Sequence, residues 1–185
     1  TTIDDPSIYF NTVLYTGTGS NNAITGVGFQ PDWVWQKRRD ASGNHELTDS
    51  VRGINKTLVS NATSPEDTGT DKLQSFDSDG FTAGSSSTNN ASGGSFVAWN
   101  WKAGTTSGIS GSPSITPSGF SFNQTAGFSI IGYTGNNTNG ATIPHGLGVA
   151  PAVIIFKRRE ANNEKWSTYH HKNTSAPETD HLELN

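Results

Sequence analysis

A chain of 185 residues with net charge −4 and only 15% charged residues lacks the basic field that non-specific nucleic-acid binding needs. Hydrophobic residues reach just 31%, but 18 aromatics (5 Trp, 4 Tyr, 9 Phe) and the small net charge set the chain apart from the disordered class. There is no Cys for a disulfide and no apolar run of membrane-span length, and Thr1–Phe10 does not read as a secretion signal, so neither cross-linking nor membrane insertion is expected.

Helical spacing of apolar residues is nearly absent, and Gly or Pro interrupts almost every stretch. In chain order the predicted strands are Phe10–Tyr15, Trp33–Lys37, His45–Thr48, Thr57–Ser60, Leu73–Phe76, Phe81–Ala83 and Phe96–Trp101. Turn chemistry separates them: Asp40-Ala41-Ser42-Gly43, Asp79-Gly80 and Ser92-Gly93-Gly94, with Asp79-Gly80 read as a hairpin turn. Seven short strands of this kind predict an all-β, antiparallel, two-sheet sandwich. Gly104–Ser118 is rich in Gly, Ser, Thr and Pro and reads as a linker with one short strand near Ile115. Strands resume at Phe128–Tyr133 and Val153–Phe156. The latter is apolar at every position, the pattern of a strand covered on both faces.

A long-range recurrence organises these elements. Tyr15-Thr16-Gly17 followed by Pro31 to Asp40 (PDWVWQKRRD) returns as Tyr133-Thr134-Gly135 followed by Pro151 to Glu160 (PAVIIFKRRE). The register extends to Leu58-Val59-Ser60-Asn61, opposite Leu182-Glu183-Leu184-Asn185, after which the first copy runs on for 42 residues (103 − 61) to Ala103. The expected organisation is a complete module over 1–103, a linker over 104–125 and a shortened, related module over 126–185.

The pairs Trp33/Trp35 and Trp99/Trp101 each project to one face of a strand. Flat aromatic faces suit sugar rings, but Val153 and Ile155 replace Trp33 and Trp35 in the second copy, so core packing is the preferred reading. The basic triplets Lys37-Arg38-Arg39 and Lys157-Arg158-Arg159 recur. They are the candidate ligand contacts, because guanidinium forks match phosphate, sulfate or carboxylate groups. The competing role is charge at a strand end that deters edge pairing.

Asp77-Ser78-Asp79-Gly80 opens like a calcium loop, but Thr88 stands where the bidentate Glu belongs, and a plain turn accounts for it. His170, His171 and His181 cluster with Glu178, Asp180 and Glu183 without zinc-site spacing. No catalytic residue, metal site or cofactor motif is assigned.

The stretches Tyr9-Phe10-Asn11-Thr12-Val13-Leu14-Tyr15-Thr16-Gly17, Gly28-Phe29-Gln30-Pro31-Asp32-Trp33-Val34-Trp35, Asp49-Ser50-Val51-Arg52-Gly53, Ser75-Phe76-Asp77-Ser78-Asp79-Gly80-Phe81 and Phe96-Val97-Ala98-Trp99-Asn100-Trp101-Lys102 resemble a module of bacteriophage tail fibres and other virion structural proteins, marine phages in particular. Ala126-Gly127-Phe128-Ser129-Ile130, His145-Gly146-Leu147-Gly148 and Trp166–His170 resemble the next module of the same proteins. The resemblance implies a jelly-roll-like sandwich, similar to concanavalin or SPRY folds, repeated in tandem. It further implies a virion or extracellular location and a non-enzymatic role in structure and in adhesion to host-surface glycans. Its implied partners are further copies of itself (a trimer in a fibre), other virion proteins and host polysaccharide. A free-standing carbohydrate-binding module of an extracellular bacterial protein is the alternative, and a polysaccharide-degrading enzyme stands third. Gln36 departs from the apolar residue usual at its position and is read as marking an altered surface.

Overall fold

The computed structural model describes residues 3–180 and 182–185. Its strands are β1 (Phe10–Thr16), β2 (Asn22–Ile24), β3 (Trp33–Arg38), β4 (His45–Asp49), β5 (Lys56–Val59), β6 (Asp67–Thr68), β7 (Leu73–Asp77), β8 (Gly80–Ala83), β9 (Ser95–Trp101), β10 (Gly119–Asn123), β11 (Phe128–Gly132), β12 (Val153–Phe156), β13 (Ser167–His170) and β14 (Leu182–Glu183). All seven strands expected before residue 103 form, within a residue or two of their expected ends. The short strands β2 and β6 and a single helical turn, α1 (Ser87–Asn90), were not expected. β2 is held by pairing with β8 and β6 by pairing with β5, partnerships that local composition does not encode.

Every strand pairing is antiparallel. The largest sheet has the order β1-β9-β3-β4-β5-β6, so the last strand of the first hundred residues inserts between the first and the third. A second sheet, β2-β8-β7, lies against one of its faces. The core between these layers is Val34 and Ala98 from the large sheet and Ile24, Leu73, Phe81 and Ala83 from the small one, with Val13 and Tyr15 packed alongside. Alternation along each strand sends one set of side chains into this core and the other set outward.

The β7–β8 hairpin forms, but its turn is Ser78-Asp79, and Gly80 is the first residue of β8. Gly80 has φ +150°, and a Cβ there would sit 2.0 Å from the Ile24 carbonyl oxygen, so no other residue fits.

Two expectations need correction, and a third, core packing of the tryptophans, is met in part. The tryptophans do not enter the core between the two sheets, but Trp33 and Trp35 pack against a second buried cluster of Leu47, Leu58 and Trp166. Trp33, Trp35, Trp99 and Trp101 occupy the opposite, outer face of the large sheet and are half-buried. Gln36, far from marking a surface, is 1% exposed. It donates to the Tyr15 hydroxyl (2.9 Å), and that hydroxyl donates to the Asn89 carbonyl (2.6 Å), so the polar side chain is partnered inside. Burial pushes the Tyr15 phenol well above its ordinary range, keeping it protonated as this donor.

The second correction concerns β12. It is the edge of a three-stranded sheet, β12-β13-β14, and Val153, Ile155 and Phe156 are 48%, 39% and 39% exposed. Neither face is fully covered, so an all-apolar strand here does not signify a buried one. The stretch read as a linker also holds structure: β10 pairs with β11, and Thr105 bridges Phe122. Ile115 is buried, but as a single anchor bonded to Thr142 and not as a strand.

Registers in the two parts of the chain match. Trp35 pairs with Leu47 and Leu47 with Leu58 in the large sheet. Ile155 pairs with Thr168 and Thr168 with Leu182 in the C-terminal one.

Candidate functional site

The outer face of the large sheet is built by strand register. Across β1, β9, β3 and β4 its rows read Phe10–Trp101–Trp33–Asp49, Thr12–Trp99–Trp35–Leu47 and Leu14–Val97–Lys37–His45. Four tryptophans and a phenylalanine thus form one aromatic patch. Trp33 and Trp101 lie 4.7 Å apart, Phe10 and Trp101 4.8 Å, and Trp35 and Trp99 meet edge to face at 6.1 Å. These offset and edge geometries are the favoured ones for interacting quadrupoles.

The C-terminal part of the chain covers one side of this patch. Phe128 of β11 stacks on Trp33 (5.6 Å, 8° between planes) and Trp101 (6.1 Å, 22°). Trp166 packs on Leu47 and Leu58, and its indole N–H donates to the Val59 carbonyl at 2.8 Å. Among the ring contacts of the described residues, Trp99 meets only Trp35. Leu14 beside it is 62% exposed. The Trp35 indole N–H donates to His45 Nδ1 at 2.9 Å, which fixes the ring's orientation. Partial burial, then the nearby Lys37 ammonium, lowers the His45 pKa below 6.5, keeping the acceptor nitrogen unprotonated. A flat, oriented, partly open aromatic face with one flanking cation is a surface that can stack planar or pyranose-like ligands.

The structure separates the two basic triplets and gives their members different tasks. Lys37 lies on the aromatic face beside Trp35, in the row of Val97 and His45. Arg38 points to the other face, where it pairs with Asp40 (2.8 Å) and sits 5.9 Å from the centre of the Phe96 ring. The Arg38 guanidinium holds the Asp40 carboxyl below its ordinary value. The Arg39 side chain is exposed and carries no ion pair among the described residues.

In the second triplet Lys157 donates to the Glu164 carbonyl and lies 5.8 Å from the Trp166 ring, and burial lowers its pKa. Arg158 pairs with Glu164 (3.1 Å) and Arg159 with Glu66 (3.5 Å) and Glu160 (3.7 Å). Arg159 therefore ties the C-terminal region to the loop before β6. Lys37 donates to the Arg38 carbonyl at 2.5 Å. With Lys157, Lys37 and Arg39 are the triplet members without an ion pair to an acidic side chain among the described residues.

Asp79 does not open a metal loop. Its carboxylate accepts from the Gly26 and Gly28 amides (3.0 and 2.6 Å), and these two bonds lower its pKa. Asp77 accepts from Thr82 at 2.8 Å. His170 and His171 pack against each other at 5.4 Å, while His181 lies outside the described residues. Among the described residues no three His, Cys, Asp or Glu side chains gather as a metal set.

Sequence reasoning missed Asp32. It is 8% exposed and accepts from Ser50 Oγ (2.7 Å), the Ala103 amide (2.8 Å) and Ser121 Oγ (3.0 Å). One carboxylate thereby joins the start of β3, the turn after β4, the end of β9 and strand β10. The Pro-Asp-Trp context was visible, but its partners lie up to 89 residues away.

Residues 5–185 match the profile of DUF7483, a domain of unknown function. The chain belongs to the DUF7483 family. The match runs without a break through the aromatic patch, β10 and the C-terminal sheet, so a DUF7483 domain contains both parts of the chain. No curated protein and no solved structure matches it.

Proposed function

We propose that this DUF7483 chain is a non-enzymatic, glycan-adhesive module of a bacteriophage tail fibre or related virion appendage, built from tandem β-sandwich units. The observation that carries the adhesive part is the outward row Thr12–Trp99–Trp35, flanked by Leu14, Lys37 and His45. Aromatic side chains facing outward on a rigid sheet, with one ring locked by a hydrogen bond, give a preorganised stacking surface. Lys37 and the exposed Arg39 supply cations for acidic sugars, and these are the triplet residues retained in the ligand role.

The matched registers Trp35–Leu47–Leu58 and Ile155–Thr168–Leu182 support the tandem reading, since they continue the recurrence of the PDWVWQKRRD and PAVIIFKRRE stretches through three strands. A chain without cysteine that acts outside the cell gains its stability from sheet packing and self-association, which agrees with an oligomeric fibre. The virion assignment itself rests on the sequence resemblance. A free-standing carbohydrate-binding module uses the same face, and electron microscopy of the native assembly separates the two.

The adhesive reading is tested by glycan-array and affinity-gel binding with neutral and acidic bacterial polysaccharides. Binding without release of reducing ends is expected, weakened about tenfold or more by Trp99→Ala. Lys37→Ala weakens acidic ligands selectively. Unchanged binding in Trp99→Ala, or turnover of the polymer, overturns the reading.

A further inference from the structure

The chain holds one Asn-Gly step, Asn139-Gly140, and one Asp-Gly step, Asp79-Gly80. In both, a side-chain carbonyl carbon precedes an amide nitrogen that no Cβ on the next residue shields. That nitrogen can close a succinimide ring on the side chain, provided the backbone is free to turn and the side chain is free to meet it.

The fold treats the two steps oppositely. The Asp79 carboxylate accepts from the Gly26 and Gly28 amides, and its carbonyl accepts from the Val27 amide at 3.2 Å. Gly80 opens β8 with the Ile24 carbonyl oxygen 2.0 Å from the place of a Cβ, so this peptide cannot rotate without tearing the strand away. An ionised carboxylate is also a poor electrophile, and the two amide bonds keep Asp79 ionised.

Asn139 and Gly140 sit exposed at the tip of a turn closed by one bond, from the Ala141 amide to the Thr138 carbonyl at 3.3 Å. Gly140 has φ +76° at the third position, the type II pattern. A flip of the Asn139–Gly140 peptide, which glycine permits, swings the nitrogen from one side of the turn to the other. Nothing stands within 4 Å of a Cβ built on Gly140. Among the described residues neither the Asn139 carboxamide nor the Gly140 N–H has a hydrogen bond, whereas Asn136 nearby is committed to the Thr138 amide at 3.1 Å.

We propose that Asn139 is a self-modification site, deamidating in the folded protein to aspartate and isoaspartate. The Gly140 nitrogen loses its proton to solvent base and attacks the Asn139 side-chain carbonyl carbon. The new N–Cγ bond forms, the Cγ–Nδ2 bond breaks, and Nδ2 takes up a proton and leaves as ammonia. Water then opens the succinimide at either of its C–N bonds, giving aspartate or, with the main chain rerouted through the side chain, isoaspartate. Nothing is oxidised or reduced. The product adds a negative charge to the net −4, on the rim of a groove that Asn139 lines with Tyr133, Ile143 and Phe156. The reaction requires neither a bound glycan nor a second module.

The test incubates the full 185-residue chain over a range of pH, then maps it by digestion and mass spectrometry, with isoaspartate counted by enzymatic methylation. The peptide containing Asn139 is expected to gain the mass difference between OH and NH2 about tenfold or more faster than any other asparagine peptide. Its rate rises with pH, because the deprotonated nitrogen is the nucleophile. Gly140→Ala slows the conversion and Asn139→Gln abolishes it, both with unchanged thermal unfolding, since the position is open. Asp79 stays free of isoaspartate while the chain is folded. Conversion at Asn139 no faster than at other asparagines, or unaltered by Gly140→Ala, overturns the inference. Isoaspartate appearing at Asp79 as fast as at Asn139 in the folded chain overturns it too, because the fold then makes no selection between the two steps.

Discussion

Trp33 and Phe128, 95 positions apart in sequence (128 − 33), lie with ring planes 8° from parallel and centroids 5.6 Å apart. This stack joins the outer face of the large sheet to β11. It covers Trp33 and Trp101, while Trp35 packs towards Leu47, Leu58 and Trp166 and Trp99 has only Trp35 as a ring partner among the described residues. The same interface carries the Trp166 indole bond to Val59 and the Arg159–Glu66 pair. An aromatic layer, and not a flexible tether, connects the two regions.

Phe128→Ala removes that stack. The ring is half-buried, so the expected loss is about 2 kcal/mol, below the cost at a fully buried phenylalanine. Urea unfolding followed by tryptophan emission checks it. The native-state emission also shifts to longer wavelength as Trp33 and Trp101 meet water. An unshifted spectrum shows that Phe128 does not shield them.

Asp32→Ala leaves the Ala103 amide and the Ser50 and Ser121 hydroxyls without their common acceptor. Buried donors left unpaired cost more than the net value of the bonds, and about 3 kcal/mol is expected. Asn at this position restores some acceptor capacity and is milder. Hydrogen exchange at Ala103 reports the local effect, with protection lost in Asp32→Ala and partly kept in Asp32→Asn.

Arg52→Ala is the most damaging charge substitution expected. The guanidinium is 7% exposed and bridges Asp49 and Glu66, which are 7% and 12% exposed, while also donating to the Leu47 carbonyl at 2.9 Å. Removal leaves the buried Asp49 carboxylate without its guanidinium and Glu66 with only the longer contacts to Arg159 (3.5 Å) and Lys56 (4.0 Å), at about 3–5 kcal/mol. Lysine retains the charge but not the fork, so Arg52→Lys falls between alanine and wild type in chemical denaturation.

His45 gives the aromatic face a pH dependence. Its pKa is lowered in the folded state, so folding favours the neutral ring. The associated stability is present above the unfolded value of 6.5 and is lost as pH falls through the folded pKa. Protonation also removes the acceptor for the Trp35 indole N–H. Nitrogen-15 spectra of the indole should show that resonance moving with a midpoint below pH 6.5, and the transition should vanish in His45→Gln. A midpoint at or above 6.5 contradicts the assigned environment.

The sequence by itself determined that this is an antiparallel β protein and where its first seven strands fall, because alternation and turn chemistry are local. It also showed the recurrence of the Trp33–Arg39 stretch at Val153–Arg159. Which side of each strand faces the core was not local. Alternation says that Trp33 and Trp35 share a face, but only the packing of β2-β8-β7 on Val34 and Ala98 decided that the tryptophans point away from it.

Likewise, four apolar residues at Val153–Phe156 read as a buried strand, because sequence records hydrophobicity and not coverage; the missing neighbour is a property of the sheet. Gln36, Asp32 and Arg52 follow the same rule. Each is polar, each is buried, and each is partnered by groups contributed from other strands or turns, so only the tertiary structure could turn them from apparent surface residues into the ties that hold the interior. The basic triplets divide in the same way. Both were legible as charge, but only the fold decides that acids pair with Arg38, Arg158 and Arg159 while Lys37 and Arg39 carry no ion pair among the described residues.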